Sequence, residues 1–247
     1  MSALNFDTVH PVAAERVAPF LEELCGQFPD LIRAAYITGS AVTPDFNERT
    51  SDVNSLLILQ DIPIDLLDAV ARLGRTHGKR QVRAPLLMTA RDIERSRDVF
   101  PVEFLDLKLV NHLATGEDLL ADLTVQRADM RLQCERELKG RILRLRQDYI
   151  QALGDRRLLR ERLVGSLAGL IALLRGTLHA LGRPTPRERA GILSELRTAA
   201  DCDTAPFEAV IRLKSEQEKP PLDKLVEIFK AYYETMGKLA DVIDAAN

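Results

Sequence analysis

The chain has 247 residues, of which 46% are hydrophobic and 29% charged, and its formal net charge is −3. This length allows one large domain or two small ones, and the small net charge gives no sign of a nucleic-acid partner or an anionic membrane surface. Three widely spaced cysteines and four scattered histidines form neither a disulfide framework nor a zinc spacing, and they suit a reducing cytosol. Aromatic residues make up 5% of the chain, so platforms for stacking nucleic-acid bases are not apparent.

In the first half of the chain, the spacing of apolar residues switches between helical and strand periods. Helices are predicted over 11–28 and 64–76, and strands over 31–38, 53–59 and 81–89. Thr89 then caps a short helix whose first turn contains Asp92. Residues 100–110 are ambiguous, because β-branched and aromatic residues precede a leucine-rich segment, and we predict a strand that passes into a helix near Asn111.

From about Asp118 onward the strand patterns disappear. Helices are predicted over 128–153, from Gly154–Asp155 to 181, over 187–200 and 205–215, and from Pro220–Pro221 to the C-terminus. The patterns together predict an α+β protein, with a mixed sheet and flanking helices over residues 1–118 and an all-α helical bundle over 119–247.

The most apolar run lies between Leu163 and Leu174. A membrane span needs about 20 residues, so this run is predicted to be a buried helix of the bundle. The N-terminus has no basic segment leading into an apolar stretch, which argues against a signal peptide. We therefore expect a soluble, cytoplasmic protein without a membrane partner.

Residues 127–162 are rich in basic side chains, with eleven Lys or Arg against six Asp or Glu. They could form a basic wall that binds a triphosphate or an acidic partner. Alternatively, they cover a solvated helix face through pairs four residues apart, such as Glu135–Lys139 and Glu137–Arg141. We favour the second interpretation, because the charges point around the helix rather than along one stripe.

The candidate phosphate-binding and metal-binding residues lie in the connection between the first two predicted strands, in the stretch ITGSAVTPDFNERTSDVNSLLIL. Gly39 lets the backbone approach a phosphate closely, and a helix that begins at Ser40 would direct free N–H groups at it. Asp52 and Asn54 are alternate residues of a strand, so their side chains point to the same side, toward this turn. Two carboxylates in these positions would hold Mg²⁺ against a triphosphate.

This arrangement resembles the signature of the nucleotidyltransferase superfamily, the DNA polymerase β-like fold that includes aminoglycoside nucleotidyltransferases. The signature is Gly-Ser, a spacer, and Asp-x-Asp or Asp-x-Glu, with a third acid on a neighbouring strand. Gly39, Ser40 and the pair Ser51–Asp52 match it, and the resemblance covers residues 10–110. It implies a nucleoside triphosphate as ligand and Asp52 as the metal-binding residue. The residues expected at the nucleotide are Gly39, Ser40, Ser51, Asn54 and Arg83.

The sequence departs from the signature in two places. Asn54 stands where the second acid is due, and the third predicted strand, QVRAPLLMT, contains Arg83 but no carboxylate. The nearest later acids are Glu103 and Asp106, and their spacing of three places them on opposite sides of a strand or about one turn of a helix apart, so at most one could substitute. We therefore expect weak Mg²⁺ binding or none. Arg83 either contacts phosphate directly or is a surface residue of an edge strand.

We weigh three hypotheses for the function. The first is a nucleotidyltransferase-fold protein with a degraded Mg²⁺ motif, non-catalytic or weakly active, that binds a nucleotide or a partner in the cleft. The second is an active enzyme that uses Asp52 with Glu103 or Asp106 to move an NMP group from an NTP to a small hydroxylated molecule or a protein side chain. The third is a helical interaction protein, such as a homodimer, that binds no ligand. We favour the first.

Overall fold

The structure is a computed structural model that describes residues 4–152, 154–215 and 220–246. The chain divides into two compact units, Met1–Val125 and Gln126–Asn247. The first unit contains a mixed sheet with helices. The second unit contains helices. The domain ranges that we expect from the sequence, 1–118 and 119–247, stay a prediction.

The first unit contains both helices and strands. In chain order they are α1 (Pro11–Gln27), β1 (Ile32–Thr38), β2 (Asn54–Leu59), α2 (Ile64–His77), β3 (Leu86–Thr89), α3 (Ala90–Ser96), α4 (Pro101–Leu109) and β4 (Asn111–Gly116). Two short 3-10 turns, Gly39–Val42 and Gly78–Arg80, follow β1 and α2. At the start of α3, Thr89 and Asp92 form the reciprocal hydrogen bonds of a capping box, as predicted.

The four strands form one mixed sheet in the order β3-β2-β1-β4. β1 is antiparallel to both β2 and β4, and β2 is parallel to β3. Thr38, the last residue of β1, lies opposite Asn54 on one side and opposite Asn111 on the other. Directly opposed residues of neighbouring strands point to the same face, so these three side chains form one row across the end of the sheet.

Both faces of the sheet are covered, which explains why β1 and β2 have continuous apolar runs rather than an alternating pattern. One face packs against α1 and α2, and Leu57 shares a buried cluster with Leu21 and Val70. The opposite face, with Tyr36 and Leu56, packs against Ile93 and Phe104 of α3 and α4. Because side chains alternate along a strand, Thr38 and Asn54 lie on the face of Tyr36 and Leu56.

The prediction for residues 100–110 was wrong. This segment is the helix α4, and the strand follows it as β4, which we did not predict. Pro101 stands in the first turn of α4, where its missing N–H costs nothing and its fixed φ suits a helix. β3 is also shorter than predicted, because Val82 makes an isolated parallel bridge with Val53 and regular pairing begins at Leu86.

The second unit is helical throughout its described elements. They are α5 (Arg127–Gln151), α6 (Arg156–Gly165), α7 (Leu170–Ala180), α8 (Arg189–Ala199), α9 (Ala205–Ser215) and α10 (Leu222–Ala245). α5 packs against α7 and α10 through buried residues three or four positions apart. Lys139 of α5 pairs with Glu135 at 2.7 Å, as the solvated-face interpretation predicts, whereas Arg141 donates instead to the carbonyls of Ser166 and Ala168.

The single helix expected from Gly154–Asp155 to 181 is divided into α6 and α7. Residues 166–169 separate the two helices, and Gly169, the N-cap of α7, has a φ of +65°, a left-handed conformation that a continuous helix does not contain. Among the described residues, no single helix is long and apolar enough to cross a membrane, and α6 and α7 reach that length and apolarity only as a pair bent by 47°.

These two units match the predicted fold class. A mixed sheet with flanking helices is followed by a helical C-terminal part, so the α+β prediction is confirmed.

Candidate functional site

The Gly-Ser turn connects the end of β1 to the loop that leads into β2. Gly39 has a φ of +72°, which L side chains rarely adopt. The expected helix starting at Ser40 is a four-residue 3-10 turn, Gly39–Val42. The Gly39 N–H does not point freely at a ligand, because it donates to the Val110 carbonyl at 3.1 Å. The turn is therefore anchored to the end of α4 next to β4.

Asn54 lies against this turn, as its position in the motif predicts. A Cβ atom added to Gly39 would lie 3.5 Å from Asn54 Nδ2. The side chain is exposed, and Asn54 is paired across the ladder with Thr38. The residue that stands in place of the second acid therefore presents an amide to the Gly-Ser turn.

The loop before β2 is held by its own side chains. Asn47 Oδ1 accepts the backbone N–H groups of Arg49 and Thr50 at 2.9 and 3.1 Å. Ser51 Oγ accepts the N–H of Asn47 at 3.0 Å. The Ser51 hydroxyl, a candidate for nucleotide contact, thus closes the loop and sets the position of the next residue, Asp52.

Asp52 and Arg83 form an ion pair. Arg83 Nη2 lies 2.8 Å from Asp52 Oδ2, and the side chains are 66% and 34% exposed respectively. The backbone brings them together, because the Val53 N–H donates to the Gln81 carbonyl and the Arg83 N–H donates to the Val53 carbonyl, at 2.8 and 3.0 Å. This parallel pairing aligns Arg83 with the residue that the signature assigns to a metal.

Thr38 and Asn111 complete the row across the end of the sheet, and sequence reasoning missed both. Asn111 Nδ2 donates to the carbonyls of Leu107 and Lys108 at 2.7 and 3.0 Å, so it caps the end of α4. The Thr38 side chain is buried. An Asn that follows a leucine-rich run is a sequence signal for the end of a helix. Its place at the site could be recognised only once β4 was identified as a partner of β1.

Glu103 and Asp106 lie on α4 and not on a strand. Glu103 is exposed in the first turn, and the Asp106 carbonyl accepts the Val110 N–H at 2.8 Å. In the part of the chain that the structure describes, no three His, Cys, Asp or Glu side chains form a group that could hold a metal ion. Asp52, Glu103 and Asp106 therefore do not converge as a carboxylate triad, and their roles as ligands stay predictions.

The sheet itself contributes no carboxylate. The four strand sequences IRAAYIT, NSLLIL, LLMT and NHLATG contain neither Asp nor Glu. The polar groups at the end of the sheet are the Asn54 and Asn111 amides and the Thr38 hydroxyl, with the Asp52–Arg83 pair beside them. Arg83 adds hydrogen-bond donors to the site, and the carboxylate that the described contacts place there, Asp52, already pairs with this cation.

The fold of the whole chain has a counterpart among solved structures. It is similar to the crystal structure of spectinomycin adenyltransferase AAD(9) from Enterococcus faecialis with ATP and spectinomycin, with a TM-score of 0.54 and 12% sequence identity over 94% of this chain and 98% of that one. No protein-family model and no curated protein matches the sequence. At this identity the likeness shows the fold alone. The chain has a nucleotidyltransferase-like α+β fold with a helical C-terminal part.

Proposed function

We propose that this protein is a nucleotidyltransferase-fold protein with a degraded metal motif that binds a nucleotide at the Gly-Ser turn and transfers it slowly or not at all. The observation that carries the proposal is the arrangement at the end of the sheet. Asn54 presents an amide to Gly39, and the Asp52 carboxylate lies 2.8 Å from the Arg83 guanidinium.

The residues at this site do not fit a resident Mg²⁺ ion. Mg²⁺ is bound by carboxylate and phosphate oxygens in near-octahedral geometry and gives up its water reluctantly. Among the described residues no three His, Cys, Asp or Glu side chains form a metal-binding group, the Asn54 amide adds only a neutral oxygen, and Arg83 adds a positive charge beside Asp52. A two-metal mechanism needs carboxylates that bridge both ions, so we assign no catalytic step to a metal here.

Nucleotide binding is supported by what the site retains. The left-handed Gly39 keeps the turn free of a side chain, so a ligand backbone or phosphate can approach it closely. Arg83 and Asn54 supply N–H donors that suit phosphate and base or ribose oxygens. The adenyltransferase of similar fold holds ATP in its crystal structure.

The binding part of the proposal is tested by calorimetric titration with ATP, GTP, CTP and UTP, with and without Mg²⁺. We expect at least one nucleotide to bind. Gly39→Ala should weaken that binding, because the new Cβ would lie 3.5 Å from Asn54 Nδ2 and take up space that a phosphate needs to approach the turn. Gly26→Ala is the matched control, since a Cβ there meets no atom within 4 Å and the residue lies in α1. The absence of a binding signal with all four nucleotides, with and without Mg²⁺, contradicts the proposal.

The catalytic part is tested with labelled nucleotides, Mg²⁺ or Mn²⁺, and a panel of small hydroxylated molecules and proteins as acceptors. We expect no transfer above the uncatalysed background, or a very slow reaction. Efficient transfer that Asp52→Ala abolishes would instead make the protein an active nucleotidyltransferase. Efficient transfer that Asp52→Ala leaves unchanged would place the chemistry elsewhere in the chain.

A further inference from the structure

Arg83 occupies the edge of the candidate site with most of its hydrogen-bonding capacity unused. A guanidinium carries five N–H donors, and one carboxylate engages at most two of them in a bidentate pair. Within the described residues, the side-chain partner of Arg83 is Asp52, and 66% of the Arg83 side chain is exposed. The remaining donors are available to an anion that enters the site.

The surroundings of Arg83 add positive charge. The segment 78–83, GKRQVR, contains Lys79, Arg80 and Arg83 and no acidic residue. It is joined to the loop before β2, because Gln81 Nε2 donates to the Arg49 carbonyl at 2.9 Å. Lys79, Arg80 and Arg49 are exposed, and the described contacts include no ion pair for any of them. The segment therefore favours a ligand with high negative charge.

Asp52 acts against such a ligand, because it already neutralises Arg83. An exposed ion pair contributes little to stability, so a phosphate can replace the carboxylate as the partner of the guanidinium. Phosphate offers three acceptor oxygens and a planar fork fits it in a bidentate manner, which favours the exchange. Bound Mg²⁺ would cancel part of the negative charge of a triphosphate and would compete for the oxygens that Arg83 contacts.

We infer that Arg83 takes the place of the metal at this site: it binds the phosphates of a free nucleotide directly, while Asp52 serves as the internal counter-ion that the phosphates displace. The inference rests on the proposed nucleotide binding and extends it. It assigns to the site a preference for metal-free nucleoside triphosphate over the Mg²⁺ complex. It also reverses the expected role of Asp52, whose carboxylate weakens ligand binding rather than supporting it.

The test compares the affinity for ATP in EDTA and in excess Mg²⁺, at constant ionic strength, for the full chain and three variants. For the unmodified protein, we expect ATP to bind about tenfold more tightly in EDTA than with Mg²⁺. Arg83→Gln should weaken ATP binding in EDTA about tenfold and abolish the preference for metal-free ATP. Asp52→Asn should strengthen ATP binding in EDTA about threefold. Arg72→Gln removes an exposed cation of α2, the helix on the other face of the sheet, and should change neither affinity.

Adenosine separates a phosphate contact from a structural effect, because it lacks phosphates. Its affinity should be the same in the unmodified protein and in Arg83→Gln. Arg83→Lys, which keeps the charge and loses the planar fork, should give an intermediate affinity for ATP in EDTA. Equal loss of adenosine and ATP binding in Arg83→Gln would show that the residue only shapes the site, and would overturn the inference.

The outcomes separate this inference from the proposed function. Tighter binding of ATP with Mg²⁺ than in EDTA, or loss of binding in Asp52→Asn, would make Asp52 a metal ligand and overturn the inference, while nucleotide binding would stand. Equal affinities in EDTA and Mg²⁺, or an Arg83→Gln variant that binds like the unmodified protein, would overturn it as well. Absence of ATP binding under both conditions would remove the proposed function together with the inference.

Discussion

The hydroxyl of Tyr36 offers a quantitative test of how the sheet is joined to the segment that follows β4. The side chain is fully buried in β1, on the face covered by α3 and α4. Its O–H is 3.1 Å from both the Glu117 carbonyl and Asp118 Oδ1, and its oxygen accepts the Leu119 N–H at 2.6 Å. Burial raises the pKa of Tyr36 far above its usual range, so the hydroxyl remains a neutral donor at any physiological pH.

Tyr36→Phe removes this hydroxyl and keeps the ring. The Leu119 N–H loses its shorter acceptor and keeps the Glu117 carbonyl at 3.0 Å, while Glu117 and Asp118 lose the Tyr36 donor. A lost hydrogen bond that leaves no buried group unpaired costs about 0.5–1.5 kcal/mol, and the exposed Asp118 carboxylate can turn to water, so we expect a loss of about 1 kcal/mol. With an m-value of about 2 kcal/mol/M in urea, the midpoint of unfolding falls by about 0.5 M.

The assay is urea unfolding followed by circular dichroism, and Tyr149→Phe is the matched control. The Tyr149 ring stacks on Phe229 at 4.5 Å, and the described contacts include no hydrogen bond to its hydroxyl. Its loss should change the free energy of unfolding by less than about 0.5 kcal/mol. If Tyr36→Phe shifts the midpoint no more than Tyr149→Phe does, the hydrogen bonds to residues 117–119 do not stabilise the unit and the reasoning is wrong.

Two further predictions concern a glycine and a thiol. Gly116→Ala should destabilise the protein by more than about 3 kcal/mol or prevent folding, because φ is +95° and the new Cβ would lie 2.7 Å from Ala34 Cα, whereas Gly74→Ala, in open space on α2, should stabilise it by about 0.5–1 kcal/mol. Thermal unfolding of both variants decides this, and an unchanged midpoint for Gly116→Ala contradicts it. Burial raises the pKa of the Cys25 thiol from 9.0 to about 11, so its reaction with a thiolate-selective reagent should be slow at pH 8 and keep accelerating until about pH 11. Because the folded thiol holds its proton more tightly than the unfolded one, this contribution to stability is present below pH 9 and is lost between about pH 9 and 11; a reaction rate that levels off below pH 9 contradicts both statements.

The elements that sequence analysis predicted correctly depend on local patterns. β1 and β2 are continuous apolar runs that the two covered faces of the sheet require, and α5 repeats a buried residue every three or four positions. The position of Asn54 beside the Gly-Ser turn also follows from a local rule, the alternation of side chains along one strand. The fold class and the frame of the candidate site were therefore readable from the sequence.

The segment around Pro101 shows where local patterns were insufficient. Its β-branched and aromatic residues suit a strand, yet they form α4, whose Phe104 packs on the sheet, and the strand position is taken by the residues that follow. Gly116 makes that position available, since it lets β4 approach β1 where a Cβ would meet the backbone of Ala34. Which segment becomes the strand next to β1 depends on the space beside β1, and a short window of sequence carries no information about that space.

The tertiary structure also determines which side chains meet at the candidate site. The sequence by itself determined that Asn54 is an amide, that Asp52 precedes a strand and that Arg83 is a cation. Only the parallel pairing of the Arg83 segment with Val53 places the guanidinium 2.8 Å from a carboxylate that lies 31 positions earlier in the chain. The physical reason is range: strand and helix periods arise between residues a few positions apart, whereas an ion pair at a sheet edge depends on which strands are neighbours and in which register they pair.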